Sequence, residues 1–351
     1  MEVSVDFNKA LLGTEYDFLR NDPRLGKNII LLGLGGSHSY GTATPTSDID
    51  IRSVSLRPAK DILLGHDHET ITDEATDTVV YTFDKILSLL AACNPNTIEM
   101  LGLKPEHYLK LTDVGEYMVK NADMFLSNKA VNSFGGYACQ QLRRLSLLAN
   151  REVTQAMREE FILATLNHAS ATFKDKYNFF AEDAIQLFLD DTHREGFDQE
   201  IYMNLNLRHY PLRDWAEMWA EMQQIVRSYN KLGSRNSKAI EHGKIGKHQM
   251  HLARLYIMAF DILYDGKIVT YREKEHDFFM DVRFGKYITE DNQPTKEFME
   301  MVDYWEEKLK HAAAHSVLPD QPDWDRINRF KAEVNYSVVT KGLPFDEQIW
   351  K

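Results

Sequence analysis

The sequence predicts an α+β fold, with a small mixed-sheet domain at residues 1–110 and a mainly α-helical domain at residues 111–351. Runs of β-branched and apolar residues that favour strands lie at residues 29–34, 48–56 and 76–83, all before the predicted boundary. From about residue 112 they give way to long patterns with helical spacing. The main helical patterns are residues 114–126, 131–150, 155–168, 183–193, 212–229, 237–264 and 291–315.

Composition narrows the class of protein. With 43% hydrophobic and 27% charged residues, the chain has the make-up of a globular protein. Its N-terminus lacks the pattern of a signal peptide, no apolar stretch is long enough to span a membrane, and the two cysteines, Cys93 and Cys139, indicate no disulfide framework. We therefore expect a cytoplasmic protein without a membrane partner. The net charge of −12 argues against a general nucleic-acid binder, so bound RNA would need a local basic patch.

The chain is organised around residues 28–52. A buried strand at residues 29–34 is predicted to end at Gly35 and Gly36, where the missing side chains allow a sharp turn and close approach of a ligand. Ser37 follows, a residue type that favours the start of a helical turn and leaves backbone N–H groups free. We therefore expect Gly36 and Ser37 to bind phosphate.

Three charged residues follow on the next predicted strand. Because side chains two apart share a face, Asp48, Asp50 and Arg52 should point one way and the intervening isoleucines into the core. Neighbouring carboxylates repel each other unless a cation lies between them, and Mg²⁺ suits hard oxygen ligands beside phosphates. Arg52 either neutralises the acidic pair or contacts a phosphate, and the sequence leaves both open.

Gly36-Ser37, ten intervening residues and Asp48-Ile49-Asp50 resemble the signature of the DNA polymerase β-type nucleotidyltransferase superfamily. Residues 47–52 together with residues 94–101 most resemble its RNA repair pathway DNA polymerase β family. The resemblance implies two Mg²⁺ ions, with Mn²⁺ as an alternative, held by Asp48, Asp50 and a third carboxylate. Asp77 is the matching position, and its implied role is general base. A structural role for Asp77 at a strand entry stays open, with Glu69 and Asp73 as the other candidates.

The helical domain contributes basic candidates for nucleotide binding. Lys244, Lys247, His251 and Arg254 follow helical steps of three and four and form one stripe. This stripe is either a solvated face or the site of a bound polyanion, and the family resemblance implies contact with the triphosphate. Arg143, which follows the glycines at positions 135 and 136, is a further candidate.

The resulting functional hypothesis is a metal-dependent nucleotidyltransferase. It would move a nucleoside monophosphate from an NTP to an acceptor hydroxyl, with an RNA or tRNA end as the acceptor, and release pyrophosphate. Two alternatives stay open. One is transfer to a small molecule or a protein, as in aminoglycoside-type or toxin-type enzymes. The other is a non-catalytic module that binds NTP or RNA.

Overall fold

The computed structural model of the protein describes residues 6–149, 155–177, 184–230, 245–290 and 293–342. The chain divides into two compact units by its internal contacts. Unit 1 contains Met1–Ala138, Met250–Val282 and Met299–Lys351, and unit 2 contains Cys139–Gln249 and Arg283–Phe298. The domain boundary near residue 110 stays a prediction.

A five-stranded mixed sheet forms the centre of unit 1, in the order β3-β4-β2-β1-β5. β2 pairs with β4 in parallel, and the other neighbouring pairs are antiparallel. Unit 2 contains a two-stranded antiparallel hairpin, β6-β7. The strands are β1 (Ile29–Leu34), β2 (Ile51–Ser55), β3 (Thr70–Asp73), β4 (Thr78–Thr82), β5 (Tyr108–Leu111), β6 (Ile185–Asp191) and β7 (Gln199–Leu205).

Helices make up most of the rest of the described residues. They are α1 (Phe7–Ala10), α2 (Asp17–Asn21), α3 (Gly36–Tyr40), α4 (Ala59–Leu64), α5 (Phe83–Ala91), α6 (Pro95–Ile98), α7 (Asp113–Lys120), α8 (Lys129–Ala149), α9 (Gln155–Lys176), α10 (Leu212–Asn230), α11 (Ile245–Asp265), α12 (His276–Arg283), α13 (Lys296–His315) and α14 (Trp324–Lys341). A mixed sheet in the N-terminal region followed by a mainly helical part confirms the predicted α+β class. None of the described helices is long and apolar enough to span a membrane.

The central position of β1 follows from its sequence. All six of its residues are buried, as expected of an unbroken apolar run between two neighbouring strands. β2 is shorter than predicted, because regular pairing begins only at Ile51 and leaves Asp48 and Asp50 just before the strand. Ile51 is fully buried, and Ile49 packs against the same core. The isoleucines therefore face the core as predicted.

One predicted helix in unit 2 is a strand. Residues 183–193 were expected to be helical, but Ile185–Asp191 forms β6. Along β6, Ile185, Leu187 and Leu189 are partly buried, whereas the residues between them are exposed. This alternation of burial has a period of two residues, which is typical of a half-buried strand and not of a helix. The hairpin packs with α9 and α10 around a core that includes Ile162, Leu166, Phe173, Met218 and Met222.

Candidate active site

The glycine turn after β1 holds the carboxylate of Asp50. The backbone N–H of Gly35 donates to the carbonyl of Asp50 at 2.8 Å. Gly36 has φ +53°, and a Cβ atom there would lie 1.6 Å from Oδ2 of Asp50. Only glycine satisfies both the left-handed backbone and this close approach. The turn and Asp50 therefore form one local unit, as the spacing in the sequence predicts.

Asp48 and Ser37 are close in sequence to Asp50 and to the glycine turn, respectively. Asp48 is exposed and precedes Asp50 by two residues, with the half-buried Ile49 between them. Ser37 is in the first turn of α3 and is only 7% exposed. The structure thus puts Gly36 and Ser37 at the start of a helical turn, directly after the end of the central strand.

Asp77 lies next to Asp50 along the sheet. β2 and β4 are parallel with Ile51 opposite Thr78, and the N–H of Ile51 donates to the carbonyl of Asp77 at 3.4 Å. Arg52 Nη1 donates to the same carbonyl at 2.7 Å, and its Nη2 lies 3.5 Å from Asp77 Oδ1. Arg52 is therefore engaged with Asp77. The Asp77 side chain is 61% exposed and its φ is +45°, so its carboxylate does not follow the direction of a regular strand residue.

The two other acidic candidates have structural partners. Asp73 Oδ2 accepts hydrogen bonds from the backbone N–H and the hydroxyl of Thr76, at 2.9 and 2.8 Å, and so caps the turn between β3 and β4. Glu69 Oε2 accepts from Lys85 Nζ at 2.9 Å. Asp77 has a partner as well, Arg52, so Asp77, Glu69 and Asp73 all stay predictions for the third carboxylate.

Two of the acidic residues carry the oxygen donors that a magnesium ion takes. Among the described residues, no group of three or more His, Cys, Asp or Glu side chains is arranged to hold a metal. Mg²⁺ is commonly held by one or two carboxylates together with substrate phosphates and water. The exposed Asp48, and Asp50 in a space that a Cβ atom at position 36 would fill, supply such a pair.

A buried ionic cluster fixes the other end of α3. Tyr40, the last residue of α3, donates its hydroxyl proton to the carboxylate of Glu99, whose oxygens lie 2.8 and 2.7 Å from it. Arg254 Nη1 donates to Oε2 of the same carboxylate at 2.8 Å, and the Arg254 guanidinium lies 3.6 Å from the centre of the Tyr40 ring. Arg254 is therefore held against Tyr40 and Glu99 at the C-terminal end of the helix that begins with Gly36.

His251 extends this cluster. Its Nδ1 lies 2.9 Å from Arg254 Nη2, and its ring packs edge-on against Tyr137 with the centroids 5.8 Å apart. Because a guanidinium only donates, Nδ1 would be the acceptor in this contact, which requires the tautomer with its proton on Nε2. Burial disfavours the charge on Arg254, but Tyr40 and Glu99 outweigh burial, so the pKa of Arg254 is raised above its usual value. Burial raises the pKa of the Tyr40 hydroxyl well above 10, which keeps it a neutral donor.

Three further basic residues were predicted to bind the nucleotide: Arg143, Lys244 and Lys247. Lys247 is exposed in the first turn of α11. Arg143 lies on α8, but its side chain is outside the described part of the chain, as is Lys244. Glu99 and Tyr40 were not among the site residues predicted from the sequence. A lone acid between Ile98 and Met100 was a signal for a buried ion pair, since such an acid needs a cationic partner.

Residues 15–163 match the family model of the RNA repair pathway DNA polymerase beta family, a family of predicted nucleotidyltransferases. The matched region includes the glycine turn, the three aspartates and Glu99, which confirms the resemblance expected from the sequence.

A full-length relative is also known. The chain is 24% identical over 319 residues to an uncharacterized 38.9 kDa protein from the nrdC-mobD intergenic region of Enterobacteria phage T4. That alignment covers 83% of this chain and 93% of the phage protein. No solved structure matches the chain.

Proposed function

We propose that the protein is a metal-dependent nucleotidyltransferase that moves a nucleoside monophosphate from an NTP to an acceptor hydroxyl, with an RNA end as the acceptor. The observation that supports this best is the Asp50 carboxylate lodged against Gly36, directly after the central strand. A turn suited to phosphate and a carboxylate suited to a cation thereby share one site. The family match over residues 15–163 gives independent support.

The chain's own residues then have separable roles. Gly36 and Ser37 bind the β- and γ-phosphates, and Asp48 and Asp50 hold Mg²⁺, which when bound neutralises phosphate charge and lowers the pKa of the acceptor hydroxyl. Asp77 accepts the proton of that hydroxyl. The acceptor oxygen forms a bond to the α-phosphorus, the bond from that phosphorus to the bridging oxygen breaks, and pyrophosphate leaves. Arg52 holds Asp77 in place.

The buried cluster around Glu99 has a positioning role in this scheme. Tyr40 ties α3, and with it Gly36 and Ser37, to Arg254 of α11. Arg254 is paired and almost fully buried, so we assign it to holding the phosphate-binding helix. His251 is partly exposed and is therefore the more accessible candidate for contact with the triphosphate.

Pyrophosphate release tests the proposal. The full chain is incubated with each NTP and Mg²⁺, with and without a single-stranded oligoribonucleotide. We expect release that requires the metal and is lost in Asp48→Asn and Asp50→Asn. Glu74→Gln, a neutralised exposed acid in the β3-β4 turn, is the matched control and should retain activity. Absence of turnover with every NTP and acceptor would instead support a module that only binds.

A further inference from the structure

Unit 2 contains a cavity of about 460 Å³, built by α9, the β6-β7 hairpin and α10. Its floor is apolar and includes Ile162, Leu187 and Met222. A volume of several hundred cubic ångströms with mainly apolar walls and a few polar groups is typical of small-molecule sites. All residues that line this cavity belong to unit 2, whereas the predicted catalytic residues belong to unit 1.

Two aromatic side chains give the cavity flat walls. Trp219 of α10 and Phe197 of the hairpin loop both line it, and they are 39% and 37% exposed. Trp215 stacks on Trp219 with the ring centroids 5.8 Å apart, which restricts the orientation of the Trp219 ring. Partly exposed aromatic faces on an apolar cavity favour a flat, aromatic ligand.

The polar groups of the cavity separate into an inner acid and outer cations. Glu159 is only 8% exposed and accepts a hydrogen bond from Gln155 Nε2 at 3.2 Å. A carboxylate has room for further donors, such as the N–H groups of a heterocyclic base. Arg194 is paired with Glu200 at 3.0 Å. Arg227 is exposed, contacts Gln223 Oε1 at 3.4 Å, and has no carboxylate partner among the described residues.

We propose that this cavity binds one unpaired nucleobase and that Arg227 binds the phosphate attached to that nucleoside. The base stacks on Trp219, its N–H groups donate to Glu159, and the phosphate lies at the outer edge of the cavity. An aliphatic ligand would use neither the exposed aromatic faces nor the charge of Arg227. The ligand is either a free nucleotide or a nucleotide of single-stranded RNA. This binding does not depend on the proposed transfer reaction.

Quenching of tryptophan fluorescence in the full chain tests the proposal with three probes: adenosine, AMP and a short oligoadenylate. Base–aromatic stacking is strong enough that Trp219→Ala should weaken binding of AMP or the oligonucleotide by about tenfold to a hundredfold. Because this variant lacks the Trp219 fluorophore, its binding is measured with a fluorescent nucleotide. Arg227→Gln should weaken both phosphate-bearing probes and leave adenosine unchanged. Arg213→Gln, an exposed arginine on the same helix outside the cavity, is the control.

The outcomes are distinct. Equal binding of AMP and oligoadenylate supports a free nucleotide as the ligand, and binding of oligoadenylate alone supports RNA. Parental affinity in Arg227→Gln would overturn the proposal, and this surface substitution should not disturb folding. A lack of quenching by all three probes, or an apolar dye in the cavity that AMP does not displace, would also overturn it. Asp50→Asn should leave this binding intact, so failure of the transfer reaction would be recognised separately.

Discussion

Arg254 and Glu99 form an ion pair that is almost sealed from solvent: Nη1 and Oε2 are 2.8 Å apart, and the two side chains are 2% and 7% exposed. They are separated by 155 residues in sequence. The pair joins α11 to the segment after α6, and Tyr40 adds α3 to the same cluster. One contact between distant parts of the chain thus anchors the predicted phosphate-binding turn.

Glu99→Gln should destabilise unit 1 strongly. Gln has a similar shape but leaves the Arg254 charge buried without a counter-ion, and breaking a buried pair in this way costs about 3–5 kcal/mol. Denaturant unfolding measures the change in the free energy of unfolding. The control is Glu273→Gln. Glu273 is 75% exposed and lies 3.0 Å from Lys104, so the loss of this surface pair should cost less than about 1 kcal/mol. Equal losses in the two variants would contradict the assigned role of the buried pair.

Gly36→Ala should displace Asp50 and abolish nucleotide transfer. The new Cβ atom would overlap Asp50 Oδ2, and the residue would also have to keep φ +53°. Gly65 separates these two effects, because it has φ +69° and a Cβ atom added there would meet no other atom within 4 Å. Gly65→Ala should therefore cost only the backbone strain, about 1 kcal/mol. Activity and thermal unfolding of both variants are compared, and comparable activity in both would show that the contact with Asp50 is dispensable.

Asp77 can be tested without disturbing its backbone. Asn tolerates the left-handed conformation at φ +45°, so Asp77→Asn should change the free energy of unfolding little. If Asp77 is the general base, pyrophosphate release should fall by about 10²- to 10⁴-fold. Asp77→Gly relieves the backbone strain and should be as inactive as Asp77→Asn, though at least as stable as the parent protein. Full activity in both variants would instead assign Asp77 to the strand entry and to its contact with Arg52.

Lys110 should make stability depend on pH in the alkaline range. It is 6% exposed, its Nζ donates to the carbonyl of Gly26 at 3.1 Å, and burial lowers its pKa from 10.5 to about 8. Between these two values the unfolded chain binds more protons than the folded chain, so stability should rise with pH from about 8 to about 10.5. The rise should be absent in Lys110→Met and present in Lys120→Met, whose side chain is 68% exposed. Denaturant unfolding at several pH values measures both, and a persistent rise in Lys110→Met would assign the effect to another group.

Lys247→Gln tests whether RNA binds along α11. Removal of one phosphate contact should lower the dependence of log affinity on log salt by roughly 0.7 for a single strand. Filter binding of an oligoribonucleotide at several salt concentrations gives this slope. Lys120→Gln is the control, since Lys120 is exposed and already paired with Glu116 at 2.8 Å. RNA affinity that does not depend on salt concentration would contradict the assignment of α11 as the RNA-binding surface.

The local sequence was sufficient to predict the glycine turn and its neighbours. β1 begins and ends where the apolar run does, and Asp50 meets Gly36 because strand and turn are close in sequence. The same local rules failed at residues 183–193, where a two-residue alternation was read as a helix. They also could not pair Glu99 with Arg254, because partners so far apart meet only through the tertiary fold. Arg254 was consequently predicted as a phosphate ligand from its place in a basic stripe.

Because α3 is short, binding of a nucleotide at its first residue should be detectable at its other end. Five residues are too few to hold a helix by their own hydrogen bonds, so α3 depends on Tyr40 and its buried partners for order. A nucleotide seated on Gly36 should therefore slow the exchange of amide protons around Arg254 as well as in the turn itself. Deuterium uptake in α11 would then report on an event at the other end of α3.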